Sequence, residues 1–331
     1  MKRFWLQHTW LRRATYSFVT LLSLCLAALL WVAYVYMPQE DRSHTPAYLT
    51  LMQEQHLDHY IDAGNFHLHY LHEGSGEPVV LMPGGGGWIY EFRHIVTALA
   101  PHYSVYVIDP PGDGYTTPTT QNPDFTTIYT MDSINQSLLM FMNTLHIPKA
   151  VFGGNSWGGG MALYFTEKHP ERVIKYVGMD NTGLDLPDPW FYEIAKWPIL
   201  GEATMKLFMP TSADATRQLL EGLLFDTSKV TADMVQELSP PLTFHCNLVS
   251  QWVLERNLDW SVTDHLLPKM KTPTLVIWGK QDTIEDSSSY VQRWHQLDPQ
   301  ASIVVLDHAG HAVYDDQPEK VNQVLLSFLA A

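Results

Sequence analysis

Four short clusters hold residue types that together perform acyl transfer. Gly154-Asn155-Ser156-Trp157-Gly158 follows an apolar run that reads as a strand and opens a helical pattern. That is the context in which a G-x-S-x-G turn projects its serine hydroxyl. A serine hydroxyl is a weak nucleophile until a base removes its proton. Ala309-Gly310-His311 supplies the base, just past the Ile303 to Leu306 run. Trp278-Gly279-Lys280-Gln281-Asp282 supplies an acid that can fix the tautomer of His311 and stabilise its imidazolium. Asp180, after the Val173 to Val177 run, is the alternative acid, and His308 the alternative base, read instead as a surface or supporting group. The fourth cluster, Pro83-Gly84-Gly85-Gly86-Gly87-Trp88, lets backbone N–H groups come close to a ligand. The N–H of Gly85, or of Gly86 as second choice, would pair with that of Trp157 to hold a tetrahedral oxyanion.

Other chemistries fit less well. No Gly-Lys-Ser/Thr follows either glycine cluster and no G-x-G-x-x-G runs through them, which removes the phosphate-cradle reading. His67 and His69 share a strand face and His72 lies nearby, but no carboxylate or cysteine set accompanies them. They are expected to be exposed strand residues, with no metal and no cofactor. With 20 Lys and Arg against 35 Asp and Glu, the formal charge of -15 repels nucleic acid and anionic lipid. Two cysteines, Cys25 and Cys246, make no disulfide framework.

These side chains need a scaffold. Hydrophobic residues are 46% and charged residues 17% of the chain, enough apolar material for a large core. Runs at Val79-Leu81, Val105-Ile108, Ala150-Phe152, Val173-Val177, Thr274-Trp278 and Ile303-Leu306 are apolar on both faces, as in covered parallel strands. Ile134, Leu138, Met142 and Leu145 recur at helical spacing between them, as do Val321, Val324, Leu325 and Phe328. The expected fold is a doubly wound, mostly parallel α/β sheet over residues 56–331. The alternation stops at about 184–264, where helical patterns follow one another; this reads as an inserted cap. Its Trp190, Phe191, Trp197, Phe208, Met209 and Phe225 either build a core or close over an apolar substrate.

Ahead of the sheet, Ala14 to Met37 carries no charge, a helix of roughly 36 Å against about 30 Å of bilayer hydrocarbon. Lys2, Arg3, Arg12 and Arg13 precede it, and Glu40 and Asp41 follow. The expectation is a basic cytoplasmic segment (1–13), a transmembrane signal anchor (14–37), a linker (38–55) and a domain outside the cytoplasm, periplasmic in a Gram-negative cell. A cleaved signal peptide, whose apolar core runs about 7 to 15 residues, and a buried helix are the competing readings.

The four clusters together resemble the α/β-hydrolase superfamily over residues 56–331. Asp109-Pro110-Pro111-Gly112-Asp113-Gly114 resembles its D-x-P-G-x-G turn, and the tail from Ala309 its G-H-x-P-E ending. Pro83 stands where the family commonly has histidine, which leaves the choice of oxyanion N–H open. Ser156 stands where dehalogenases and epoxide hydrolases of this outline carry aspartate. Gly154-Asn155-Ser156 resembles hydrolases of ring-cleavage products, and Ser156-Trp157-Gly158 resembles prolyl iminopeptidases. The resemblance implies a serine hydrolase, foremost one acting on a small apolar ester or lipid, with C–C bond hydrolysis and amide hydrolysis as alternatives. Glu193, Glu202 or Glu221 would hold the amino group of an aminopeptidase substrate. A tethered binding protein without chemistry is the non-enzyme alternative.

Overall fold

The computed structural model of the protein describes residues 2–187 and 190–331; side chains before Arg13 lie outside those described. Among the described residues nine strands form one sheet: β1 (Asp58–Ala63), β2 (Phe66–Gly74), β3 (Glu77–Met82), β4 (Tyr103–Ile108), β5 (Thr117–Pro118), β6 (Ala150–Asn155), β7 (Val173–Met179), β8 (Thr274–Gly279) and β9 (Ser302–Leu306). Their order is β1-β2-β4-β3-β6-β7-β8-β9, with β5 on β2. From β4 to β9 every neighbouring pair is parallel, while β2 runs antiparallel to β1, β4 and β5.

The parallel strands are apolar on both sides because both sides are covered. Val79, Leu81, Val105, Val107 and Val177 join one core, whereas the alternate residues Val80, Met82, Phe152 and Tyr176 join the other. The antiparallel β1 and β2 escaped the apolar-run criterion because they carry His59, Tyr60, Asp62, His67 and His69. The turn between them, Gly64-Asn65 with Gly64 at φ 65°, is the local signal for that hairpin.

The helices are α1 (Lys2–Tyr34), α2 (Ala47–Glu54), α3 (Arg93–Leu99), α4 (Phe125–Ile128), α5 (Met131–Thr144), α6 (Ser156–Lys168), α7 (Trp190–Ala195), α8 (Leu200–Phe208), α9 (Ala213–Leu223), α10 (Ala232–Leu242), α11 (His245–Asn257), α12 (Trp260–Leu266), α13 (Ser287–Leu297), α14 (Val313–Asp316) and α15 (Pro318–Ala330). Helices α5 and α6 pack on one face of the sheet, α3 and α15 on the other. The described residues of the connection from β7 to β8 form helices α7 to α12 and contain no strand. Ser212 caps α9 and Thr231 caps α10, each accepting a hydrogen bond from a backbone N–H three residues on.

Helix α1 is continuous, and its Arg13–Tyr34 stretch is long and apolar enough to cross a membrane, a test a signal sequence also passes. Only 6% of that stretch is buried inside the protein, unlike a core helix. The expected linker, residues 38–55, is not a free tether. Its α2 buries Leu49 and Met52. Glu40 Oε1 accepts from the N–H of His245 at 2.7 Å, and the Asp41 N–H donates to Thr243 Oγ1 at 2.7 Å. Polar composition suggested a solvated spacer; those polar groups instead bond to α11 and the turn before it.

Candidate active site

Every chemistry-bearing cluster lies just beyond the carboxyl end of a parallel strand: the glycine loop after β3, Ser156 after β6, Asp180 after β7, Asp282 after β8 and His311 after β9. Open α/β sheets bind ligands at that edge. Ser156 is forced into φ 48°, the left-handed region, at the first residue of α6. Bond networks and close packing hold it there. A methyl group on Gly158 would strike the carbonyl oxygens of Met82 and Pro83, and one on Gly85 would strike the Trp157 indole. The glycines therefore let the β3 loop lie directly on the serine turn.

His311 is buried, and its Nδ1 donates to Asp282 Oδ2 at 2.9 Å. Asp282 Oδ1 accepts from the N–H groups of Ile284, 2.8 Å, and Glu285, 3.1 Å, so the carboxylate is held from both sides. Burial pulls the imidazole pKa down, but the Asp282 charge and hydrogen bond outweigh it and hold the pKa above its ordinary value. Asp180 occupies a different role. It is buried, and Oδ1 accepts from the Gly279 N–H at 2.6 Å. Burial, reinforced by the neighbouring Asp282 charge, pushes its carboxyl well above the usual range. His308 is exposed.

The glycine loop discriminates between the two candidate N–H groups. Gly86 N–H already donates to Asp113 Oδ1 at 2.7 Å, whereas Gly85 N–H has no partner among the described residues. Asp113 also accepts from Gln251 Nε2 at 3.2 Å, and burial drives its carboxyl well above the usual range. Asp109 accepts from the Ile89 N–H with Oδ1, 2.7 Å, and from the Tyr115 N–H with Oδ2, 2.7 Å. Two acids of the Asp109-to-Gly114 turn thus hold the loop from below. Asn155, a variable position of the serine motif, donates to the carbonyls of Met179, 3.0 Å, and His311, 3.1 Å, tying the serine and histidine turns together. Sequence reading named these residues only as motif letters.

The histidine expectation needs correction. His67 is half exposed beside Asp62, but His69 is wholly buried. The turn after β4 folds over it, and its ring donates to Asp109 Oδ2 at 2.6 Å and Asp58 Oδ1 at 2.7 Å. Among the described residues no group of three or more His, Cys, Asp or Glu could hold a metal ion.

A small pocket of about 50 Å³ opens over the serine, lined by Gly85, Ser156, Trp157, Tyr192, Gln251, Glu255, Ile284 and Glu285. Its lining is polar where an apolar one was expected. Trp190, Trp197, Phe208 and Phe225 are exposed instead, and neither build the core nor line this pocket. The acids named in advance for an amine are placed elsewhere: Glu193 pairs with Lys196 at 2.9 Å, Glu202 with Arg256 at 2.6 Å, and Glu221 is exposed. Glu255 and Glu285, from α11 and the β8 loop, occupy the pocket in their stead; only folding brings them beside Ser156.

Known proteins share this architecture. The alpha/beta hydrolase fold profile matches residues 77–318. A Comamonas testosteroni hydrolase, named for 2-hydroxy-6-oxononadienedioate and 2-hydroxy-6-oxononatrienedioate, is 28% identical over 308 residues, 89% of this chain and 99% of its own. A meta-cleavage product hydrolase from Pseudomonas fluorescens IP01 superposes with a TM-score of 0.69 at 24% identity, over 83% of this chain and 98% of its own. A membrane phospholipase A described as a bacterial virulence factor superposes at 0.67 with 20% identity, over 96% of this chain and 98% of its own. The two superpositions bear on the fold alone.

Proposed function

The chain belongs to the alpha/beta hydrolase fold family and is an enzyme of that fold, and from that premise we propose that it hydrolyses carboxylic esters through an acyl-enzyme on Ser156. The observation that carries this is the strained Ser156 turn on the pocket floor, with His311 buried and bonded to Asp282 at the neighbouring strand ends. Ser156 Oγ attacks the ester carbonyl while His311 Nε2 takes its proton. The N–H groups of Gly85 and Trp157 receive the oxyanion. The alcohol leaves with the proton held by His311, and a water activated by the same ring cleaves the acyl-enzyme.

C–C bond hydrolysis is the second reading, favoured by the 28%-identical relative. That relative is named for dioates, which carry two carboxylates. Here Glu255, whose Oε1 lies 3.9 Å from Lys196 Nζ, and Glu285 line the pocket, and no Lys or Arg is among its lining residues. Like charges at close range in a partly desolvated pocket disfavour a dianion, which places the uncharged ester first. An acidic pocket wall also favours a substrate amine, the feature an aminopeptidase needs, although Lys196 already pairs with Glu255.

We further propose that α1 anchors the enzyme, with its N-terminus cytoplasmic and its sheet outside the cytoplasm; the Lys and Arg residues before Ala14 support that orientation. The test of the chemistry is fluorophosphonate labelling of the full chain in detergent with peptide mapping, alongside p-nitrophenyl esters of increasing chain length, a vinylogous diketo acid and a proline amide. Label on Ser156, lost in Ser156→Ala together with ester turnover, is the expected result. Full esterase activity in pure Ser156→Ala protein refutes the nucleophile. Diketo-acid turnover with esters untouched, or proline amides preferred over esters, replaces the ester reading.

A further inference from the structure

Helix α8 is built inside out. Its charged residues turn inward: Lys206 is only 5% exposed, and Glu202 accepts from Arg256 Nη1 at 2.6 Å. Its exposed residues are all apolar: Leu200, Leu207 at 57% and Phe208 at 69%. At about 100° per residue these three share an arc of roughly 100°, the width of a stripe that normally faces a core. Around the same part of the cap, Trp190 is 75% and Trp197 60% exposed. Large apolar side chains gathered on one surface mark a contact site.

The contact is identified by what α8 is fastened to. Helix α8 packs against α1. Lys206 Nζ donates to the carbonyl oxygens of Ala33, 2.7 Å, and Val32, 3.3 Å, which close the C-terminal end of α1. The following segment is bonded to α11 and the turn before it, so the end of α1 and the cap form one unit. The 22 residues Arg13–Tyr34 span roughly 33 Å, against about 30 Å of hydrocarbon. When Arg13 lies at one boundary, Val32 and Ala33 lie at the other, and α8 is held at that level beside Trp31 and Tyr34, both exposed. Aromatic side chains settle at this depth.

We propose that the α7–α8 face of the cap is a membrane-docking surface, inserted beside the exit point of α1 into the outer leaflet of the bilayer. The proposal rests on the anchor reading above and is independent of the reaction catalysed. Helix α7 lies between the two environments, with Trp190 exposed and Tyr192 on the pocket wall beside Ser156. Docking therefore turns the wall of the pocket that carries Tyr192 toward the lipid. The chain's charge of -15 fits an uncharged or zwitterionic surface.

The test uses the full chain with Cys25→Ser and Cys246→Ser, carrying a nitroxide at Leu207→Cys or, separately, Phe208→Cys, in phosphatidylcholine vesicles. Both positions are exposed, and matched thermal melts verify that the labelled proteins are folded. Flotation with the vesicles, and collisions with oxygen exceeding those with a water-soluble nickel chelate at a depth of about 5–10 Å, is the expected result. Flotation with both labels freely open to the nickel chelate overturns the docking face and leaves the anchor standing. Labels shielded from both reagents signify a protein partner and also overturn it. Protein that does not float overturns anchor and face together. Fluorophosphonate reactivity of the same samples reports the chemistry separately.

Discussion

His69 gives the sharpest physical expectation. Both ring nitrogens face carboxylate oxygens, Nδ1 at 2.6 Å from Asp109 and Nε2 at 2.7 Å from Asp58. A carboxylate only accepts, so both nitrogens carry protons and the ring is an imidazolium. Burial opposes the charge, but the Asp109 charge and hydrogen bond and then those of Asp58 prevail, raising the pKa from 6.5 to about 9. At about 1.4 kcal/mol per unit, the shift corresponds to about 3 kcal/mol of folding free energy. Because the folded value is the higher one, this contribution is complete below about pH 6.5 and lost as the pH rises toward about 9. His69→Gln keeps a donor but cannot titrate. Denaturant unfolding of both proteins in the same detergent, at several values from pH 6 to pH 9, measures the difference. The native protein is expected to lose about 3 kcal/mol more than the variant over that range. The raised pKa of His311 contributes with the same sign, but it is present in both proteins and cancels. Parallel stability curves would refute the reasoning, because they would mean that His69 binds no additional proton on folding.

The two buried aspartates near His311 should respond oppositely to the same substitution. Asp282→Asn removes the charge that fixes the tautomer and is expected to lower kcat by about 10³–10⁴. Asp180→Asn keeps the acceptor for the Gly279 N–H and replaces a carboxyl whose charged form burial already disfavours, and is expected to cost less than about tenfold. Steady-state ester kinetics on both variants decides this, and the reverse ranking would make Asp180 the acid. Gly158→Ala drives a methyl group against two backbone carbonyls that cannot rotate away. It is expected to destabilise by about 1–3 kcal/mol or more, read as a lowered Tm, with Ser156 displaced.

The sequence determined what could be written locally. Apolar runs marked the parallel strands because both faces of each strand are buried, so every residue in the run must be apolar. The serine turn was legible because its strand-turn-helix geometry requires glycine at Gly158, where any side chain meets backbone. Asp282 and His311 were legible because each follows a strand whose end the sheet must bring to one edge. The charge-free length of α1 was likewise a property of composition and rise per residue.

Tertiary structure decided the rest, because it depends on which distant groups face each other. His69 reads like His67, two residues away on the same strand, until the turn after β4 buries one of them between two carboxylates. Glu255 and Glu285 on the pocket wall lie far from Ser156 in sequence; the cap brings in the first, and the placing of β8 two strands from β6 brings in the second. Gly86 and Gly85 are neighbours with the same composition around them; an aspartate from another loop occupies the N–H of one and leaves that of the other. The aromatic residues of the cap read as core or as substrate cover; their outward direction was fixed only by folding, with Lys206 bonded to the end of α1 on the inward side of α8 and the apolar side facing out.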